Sequence, residues 1–556
     1  MNSKIVSRNI HFKEQDERVA RWQKKHLTPL DIDMHRDELL ALFDAVRAAR
    51  DLSSSKLNSL IMRLVHDDVV HVTQDKIVAA YRAMTARDIL PFEREVLNRL
   101  RLKPVRTSSG VAPLTVLTAA APCPGKCIFC PEVSGYPKSY LPLEPGVQRA
   151  AQHRFDPFKQ VRARLQSFEN NGHATDKIEL LVLGGTWSAY APNYQERFVR
   201  RMFDALNGVE SESLELAQQC NETAEHRAVG LTLETRPDHI TLDEVKRLRW
   251  LGATKIQLGI QSLDDHILEL NRRGETTADQ KRAIRLLRLA GFKLHLHWMP
   301  NLLGATPESD RTDFARLWND PAYRPDELKI YPCGLIEGTE LFTRWQAGDY
   351  RPYRDDELTE LIVDCKRTVP PYCRLNRVIR DIPANYIAAG STRSDLRLAA
   401  QRVLRERGIA CQCIRCREVR HEKIAPDELR LDSLAYETDA TTEHFLSFVT
   451  SRNQLAAFLR LSLPSPHASR DEMLDELRDC AIIREVHVYG NALEIGSDSD
   501  GAAQHSGLGA RLIEHAIRIA RDAGFKRIAV ISAIGTRAYY RKHGFELDEL
   551  YMTRSV

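Results

Sequence analysis

The stretch PCPGKCIFCPE, residues 122–132, places Cys123, Cys127 and Cys130 within eight residues of one another. A closed tetrahedral metal site wants four ligands, and this loop supplies three. Three thiolates suit another object: they hold three irons of a four-iron cluster and leave the fourth iron open to a small molecule. A zinc knuckle completed by a distant cysteine is the alternative reading of the same residues. Position favours the cluster, because the loop directly follows the apolar run VAPLTVLT (111–118), the first of six such runs.

The other five are KIELLVLGG (177–185), AVGLTLET (228–235), KIQLGIQS (255–262), KLHLHWMP (293–300) and ELKIYPCG (327–334). Helix-type segments such as TADQKRAIRLLRLAG (277–291) lie between them. Strand–helix alternation with near-continuous apolar strands predicts a parallel sheet. Six units predict an α/β fold, a partial (βα)6 barrel, in which chemistry belongs at the C-terminal strand ends. The motifs fall there. Gly184, Gly185 and Thr186 close the second strand, Glu234 ends the third and Gln261 the fourth. Glycine lets a ligand approach the backbone closely. Each strand-end carboxylate or amide alone is as often a helix cap or ion-pair partner.

Upstream, DELLALFDAVRAAR and SSKLNSLIMRLVHDD repeat apolar residues at helical spacing after capping residues, so residues 1–95 read as a helical region. The barrel is assigned to 96–367 and a Cys/Arg-rich linker to 368–436. A separate α+β domain follows over 437–556, where AIIREVHVYG and NALEIG (481–496) read as neighbouring antiparallel strands. In that domain Gln504, Gly507, Leu508, Gly509 and Ala510 form a glycine turn before a long amphipathic helix. Backbone N–H groups at a helix start bind anions such as a coenzyme pyrophosphate.

The chain has 43% hydrophobic and 28% charged residues and a net charge of +4. Any nucleic-acid surface is therefore a local patch. The polar N-terminus carries no signal-peptide pattern and no apolar run reaches spanning length, which predicts a cytoplasmic protein without membrane contact. The 11 cysteines are then thiols or metal ligands, not a disulfide framework. Cys411, Cys413 and Cys416, with Cys333 after the sixth strand, form a candidate tetrahedral zinc site, and His421 is an alternative ligand. Free thiols in an Arg-rich loop are the plain alternative. Cys220, Cys365, Cys373 and Cys480 read as buried fillers. Arg99, Arg101, Lys103 and Arg106 crowd one acid-free stretch, and Arg374, Arg377 and Arg380 another; both are candidate phosphate contacts, although charge runs are usually solvated faces.

The cysteine spacing after strand one resembles the radical S-adenosylmethionine (SAM) enzymes. The resemblance implies a 4Fe-4S cluster on Cys123, Cys127 and Cys130, with SAM contacts at Gly184, Gly185, Thr186, Glu234 and Gln261. The order REVHVYG, QHSGLG, AYYRKHGF resembles the GNAT acetyltransferases. That implies acetyl-CoA beside Glu485, Val486, His487 and Val488, with Tyr540 at the thioester and Tyr539 competing for the role. With LKPVRTSSGVAPLTVLT, GGTW, LTLETRPD and RLNRVIRDIP in the same chain, the whole resembles the catalytic subunit of Elongator over about residues 95–556. The resemblance implies a tRNA-modifying enzyme of the acyltransferase class. It would form 5-carboxymethyluridine at the wobble uridine from acetyl-CoA by radical chemistry, with Lys177 at the acetyl-CoA and the N-terminal helices on tRNA. An electron donor is also implied, and the chain would act alone, as a homodimer or with Elongator-type protein partners. A protein lysine acetyltransferase is the rival reading of the second domain alone.

Overall fold

The computed structural model describes residues 29–49, 52–67, 70–102, 107, 109–380, 382–419, 424, 426–489 and 507–556. The chain divides into two compact units, one of residues 1–107 with 163–175 and the other of 108–162 with 176–556. In the first unit, helices Arg36–Ala48, Ser54–Leu64, Gln74–Ala86 and Arg94–Leu100 turn their apolar stripes onto one core. Leu39, Leu42, Phe43, Ile61, Ile77, Tyr81 and Met84 fill it. Ser53 caps the second helix by accepting from Lys56 N, as its sequence position predicts.

The second unit holds two seven-stranded sheets. The six predicted barrel strands form as β1 (Ala112–Leu117), β2 (Lys177–Leu183), β3 (Arg227–Thr235), β4 (Lys255–Gln261), β5 (Lys293–Trp298) and β6 (Glu327–Ile330). They pair in chain order, all parallel. The short β7 (Leu335–Ile336) leaves the sheet to pair with β9 (Ile387–Ala389). Between them in sequence, β8 (Arg374–Arg377) adds a seventh parallel strand beside β6. The stretch read as a linker thus contributes an edge of the barrel sheet.

The other sheet comprises β10 (Arg430–Glu437), β11 (Thr441–Val449), β12 (Leu455–Pro464), β13 (Cys480–Val488), β14 (Arg527–Val530), β15 (Glu546–Leu547) and β16 (Met552–Ser555). The segment NALEIG lies outside the described residues, so its pairing with β13 is not part of this description. This sheet docks on the N-terminal ends of β3–β6. Gly291, at φ +76, leaves room for Ile482, and Gly535 sits against Arg227 and Ala228. Between the sheets, Arg484 donates to both Asp326 oxygens at 2.7 Å, to Glu443 at 2.8 Å and to Phe292 O at 2.9 Å. All three charged side chains are buried. Despite its own burial, Asp326 is held well below the usual carboxylate range by Arg484 and Arg460. Such a network is costly to break from one side, because it strands a buried charge.

Candidate functional site

At the C-terminal rim of the barrel the cysteine loop leaves β1 as predicted. Cys123, Cys127 and Cys130 are all free and half-buried. Arg273 Nη1 donates to Cys127 Sγ at 3.3 Å, while its other nitrogens hold Glu275 at 2.8 Å and the Gly259 carbonyl at 2.5 Å. Cys123 Sγ lies 3.8 Å from Thr186 Oγ1. Enclosure, and Cys127 beside it, push the Cys130 thiol up to about 11. Such a thiol becomes a ligand only when a metal displaces its proton. Gly125 gives Arg236 room, since a Cβ there would stand 2.6 Å from Arg236 Nη1 and the guanidinium would have to shift. Gly184 is required: at φ +151, its Cβ would fall 1.8 Å from Thr118 Oγ1. Three free thiols on one loop, with a cation at one of them, fit a cluster bearing net negative charge.

Glu234 faces the same rim. Burial holds its carboxyl above the usual range even though Lys329, Arg380 and Arg377 surround it. Gln261 closes β4 in a left-handed turn at φ +64, and its Oε1 is buried without a protein partner. Ser262 is turned away and bonds Asp313 at 3.2 Å. Arg380, expected at phosphate, instead ties down the chain after the cysteines through Ser139 Oγ at 2.7 Å and Glu144 at 2.8 Å. Arg374 is likewise committed, to Glu418 and the Tyr489 hydroxyl, each at 2.8 Å.

The opposite, N-terminal rim carries Lys177, the first residue of β2 and the register partner of Arg227. Burial lowers its ammonium below the ordinary lysine range. Here β13 separates from β14: their pairing ends at Ile483 and Val530, while β13 runs on to Val488 beside β12. The edge at Glu485, Val486, His487 and Val488 therefore faces a wedge able to take an extended pantetheine arm by strand-like bonding. Glu485 anchors the wedge to the barrel through Lys293 at 2.5 Å and is held within its own sheet by Arg460 of β12 at 2.9 Å. Helix Leu508–Asp522 starts at Gly507 without a side-chain cap, which leaves first-turn N–H groups for an anion. Gly509 has no room for a side chain, since a Cβ would lie 2.6 Å from the Tyr539 hydroxyl; Ala510 follows in the helix. Tyr540 is buried, and enclosure raises its hydroxyl above the ordinary tyrosine range, with Tyr539 and Glu485 adding to the effect. Gln504 lies outside the described residues.

Cys411, Cys413 and Cys416 bring their sulfurs within 4.8 Å of one another. Lys366 Nζ stands 3.7 Å from Cys416 Sγ. Hydrogen bonds from Cys411 and Cys413, then Lys366 and Arg397, hold the Cys416 thiol far below its ordinary value. Cys333, expected as the fourth ligand, is not in this group. It packs with Ile128, Leu335 and Tyr350, and burial pushes its thiol up to about 12. His421 lies outside the described residues. Of the expected fillers, Cys365, Cys373 and Cys480 are buried, but Cys220 is exposed.

The N-terminal basic stretch also differs from expectation. Arg99 Nη1 donates to the carbonyls of Val46, at 2.8 Å, and Ala49, at 2.5 Å, at the end of the first helix. Arg101 Nε donates to Gly172 O at 3.0 Å. Both guanidinium groups satisfy orphan carbonyls of their own unit. Lys103 and Arg106 lie outside the described residues.

Sequence reading missed Arg273 and the polar column inside the barrel. The signal for the column was present: KLHLHW alternates Lys293, His295 and His297 with apolar residues, the period-2 mark of a strand with one polar face.

Known proteins agree with this architecture. A Radical SAM superfamily model matches residues 121–315, a Radical SAM C-terminal domain model 325–406 and an Acetyltransferase (GNAT) family model 417–545. A protein of Dehalococcoides mccartyi named tRNA uridine(34) acetyltransferase is 43% identical over 81% of this chain and 99% of its own length. Elongator complex protein 3 of Drosophila melanogaster is 34% identical over 93% and 94%. The solved structure of Methanocaldococcus infernus Elp3 with an N-terminal deletion superposes with a TM-score of 0.70 at 38% identity, over 81% of this chain and all of that one. With a three-cysteine barrel and a GNAT sheet in one compact unit, the chain belongs to the Elongator complex protein 3 family.

Proposed function

We propose that this protein modifies the wobble uridine of tRNA, converting it to 5-carboxymethyluridine with acetyl-CoA as the carbon source. Support comes from one feature above all: the cysteine loop and the acyl wedge stand at the two ends of a single barrel, whose N-terminal end is bonded to the wedge's sheet by the buried Arg484–Asp326–Glu443 network. Neither end would need the other in a simple acetyltransferase. The relatives named tRNA uridine(34) acetyltransferase support the substrate.

Cys123, Cys127 and Cys130 hold the 4Fe-4S cluster, and Gly184, Gly185, Thr186, Glu234 and Gln261 hold SAM. When bound, cluster and SAM supply the one-electron chemistry by which a methyl C–H of the acetyl group is exchanged for a bond to C5 of uracil. Loss of one electron and one proton from the adduct, to the electron carrier that serves the cluster, and hydrolysis of the thioester by water leave the carboxymethyl group. Arg273 holds Cys127 in place and faces its sulfur with positive charge. The wedge residues Glu485 to Val488 seat the pantetheine. Gly507 to Ala510, with Gln504, take the pyrophosphate. Lys177 contacts the coenzyme from the barrel rim. Tyr540, kept protonated by its enclosure, donates to the thiolate of coenzyme A as it leaves. Cys411, Cys413 and Cys416 would hold a structural zinc. Arg377, exposed at the end of β8, contacts RNA together with Lys103 and Arg106. Among the described residues no helix is long and apolar enough to cross a membrane.

The test is mass spectrometry of nucleosides from tRNA incubated anaerobically with reconstituted protein, SAM, acetyl-CoA and a reductant. Carboxymethyluridine at the wobble position is expected from the wild type and none from Cys127→Ala. SAM cleavage without any modified uridine would overturn the assignment.

A further inference from the structure

Barrel interiors are ordinarily packed with branched apolar side chains. Here β4, β5 and β6 send their apolar residues Ile256, Leu258, Leu294, Leu296, Leu328 and Ile330 into the surrounding layer and turn polar ones inward. Lys255, Gln257 and Gly259 pair with Lys293, His295 and His297, and the last two pair with Glu327 and Lys329. Most of this column is internally satisfied. Lys255 bonds Glu179 at 2.5 Å and Glu327 at 3.3 Å. Gln257 Oε1 accepts from His297 Nε2 at 2.8 Å and from Lys329.

Three groups are not satisfied. Gln257 is 0% exposed and its Nε2 has no protein partner. His295 is 2% exposed and neither ring nitrogen makes a hydrogen bond. Its Nδ1 lies 3.2 Å from Glu327 Oε2, in a geometry that forms none. His487 Nε2, on the wedge strand, is also unpartnered. Each buried unpaired polar group costs roughly 1–3 kcal/mol, so adjacent ones mark a place built for something else.

The chemistry of these donors selects the ligand. Burial, with Lys329 next, holds His295 well below the ordinary imidazole range, so the ring is neutral. A neutral N–H and an amide N–H suit an uncharged carbonyl oxygen, whereas phosphates and carboxylates draw cations. Position selects it again. Lys293 lies two residues below His295 on the same strand face and touches Glu485 of the wedge at 2.5 Å. His295 therefore stands about 7 Å, two strand steps, inside the barrel from that contact. One layer further on, Gly259 receives Arg273, which reaches Cys127.

We infer that the barrel lumen takes the acetyl end of the coenzyme from the wedge, and that Gln257 Nε2 and His295 donate to its thioester carbonyl oxygen. With the oxygen held from the wall, the methyl group is directed along the lumen toward the cysteine rim. The assignment rests on acetyl-CoA being the substrate.

Isotope-edited infrared difference spectra of [1-13C]acetyl-CoA on the full-length protein test it, with or without cluster. The bound carbonyl band should lie at lower wavenumber than that of free acetyl-CoA. His295→Leu should return it most of the way, and His295→Gln, which keeps a donor, should not. Because the ring has no hydrogen bonds to lose, His295→Leu should leave the thermal midpoint unchanged or raised. In the reconstituted enzyme, deuterium transfer from trideuterated acetyl-CoA into 5′-deoxyadenosine should fall roughly tenfold, the scale of one hydrogen bond. An unshifted wild-type band, or an identical shift in His295→Leu with acetyl-CoA bound, would overturn the lumen subsite while leaving the functional reading intact. No bound acetyl-CoA in the wild type would overturn both.

Discussion

The protein carries two cysteine trios, and the contrast between them separates chemistry from scaffolding. Cys411, Cys413 and Cys416 sit on the turn into the short helix Ile414–Arg417, so their sulfurs converge within 4.8 Å, as one metal ion requires. Among the described residues no other trio of Cys, His, Asp or Glu is this close. Cys123, Cys127 and Cys130 are spread along an open loop, a wider set suited to several irons. Their surroundings differ too. The compact trio is backed by Lys366 and by Arg397 on helix Leu396–Glu406. The open trio stands at the C-terminal rim of the barrel and is braced at one sulfur by Arg273. One spacing change, C-x-C-x2-C against C-x3-C-x2-C, goes with a closed site in one case and an open one in the other.

Exchanging the damage between the two trios should break the comparison cleanly. Cys127→Ala should abolish cluster absorbance and SAM cleavage while leaving zinc content and the thermal midpoint near wild type, read by elemental analysis and calorimetry. Cys413→Ser strikes the fully buried member of the proposed zinc trio. It should remove the zinc and lower the midpoint by roughly 5–10 °C, yet leave iron content unchanged. Loss of both metals in either variant would contradict the division of labour.

A smaller effect separates the barrel interior from both trios. Burial pushes His487 down to about 4, and His295 and His297 are also held well below the ordinary imidazole range by burial. The unfolded chain binds these protons near pH 6.5 while the fold resists them. Their contribution is therefore fully present above about pH 6.5 and is lost as pH falls toward about 4. His487→Leu should flatten the melting temperature across that window relative to wild type. An unchanged slope would mean that the interior histidines do not govern acid sensitivity.

The parts legible in sequence were those where local chemistry decides the outcome. Six barrel strands announce themselves by branched apolar runs, and the cysteine loop by its spacing after the first. Ser53 and the glycine turn at 507–509 follow from capping and close approach. What stayed hidden depends on long-range pairing. RLNR (374–377) is too short and polar to read as a strand, and it becomes one only because β6 offers an edge. Cys333 follows β6 as a ligand might, yet the chain folds it beside Tyr350. Arg99 reads as a phosphate contact until the carbonyls at the end of helix Arg36–Ala48 claim it. Arg273 shows no motif of its own, because its role depends on the loop 146 residues before it.

The most direct measurement is pulsed electron–nuclear double resonance on the anaerobically reduced protein, with SAM labelled by 15N at its amino group and 17O at its carboxylate. The account predicts a 4Fe-4S signal that couples to both labels, because three cysteines leave one iron open for SAM. A cluster signal without coupling to either label, or zinc in place of iron on Cys123, Cys127 and Cys130, would contradict it.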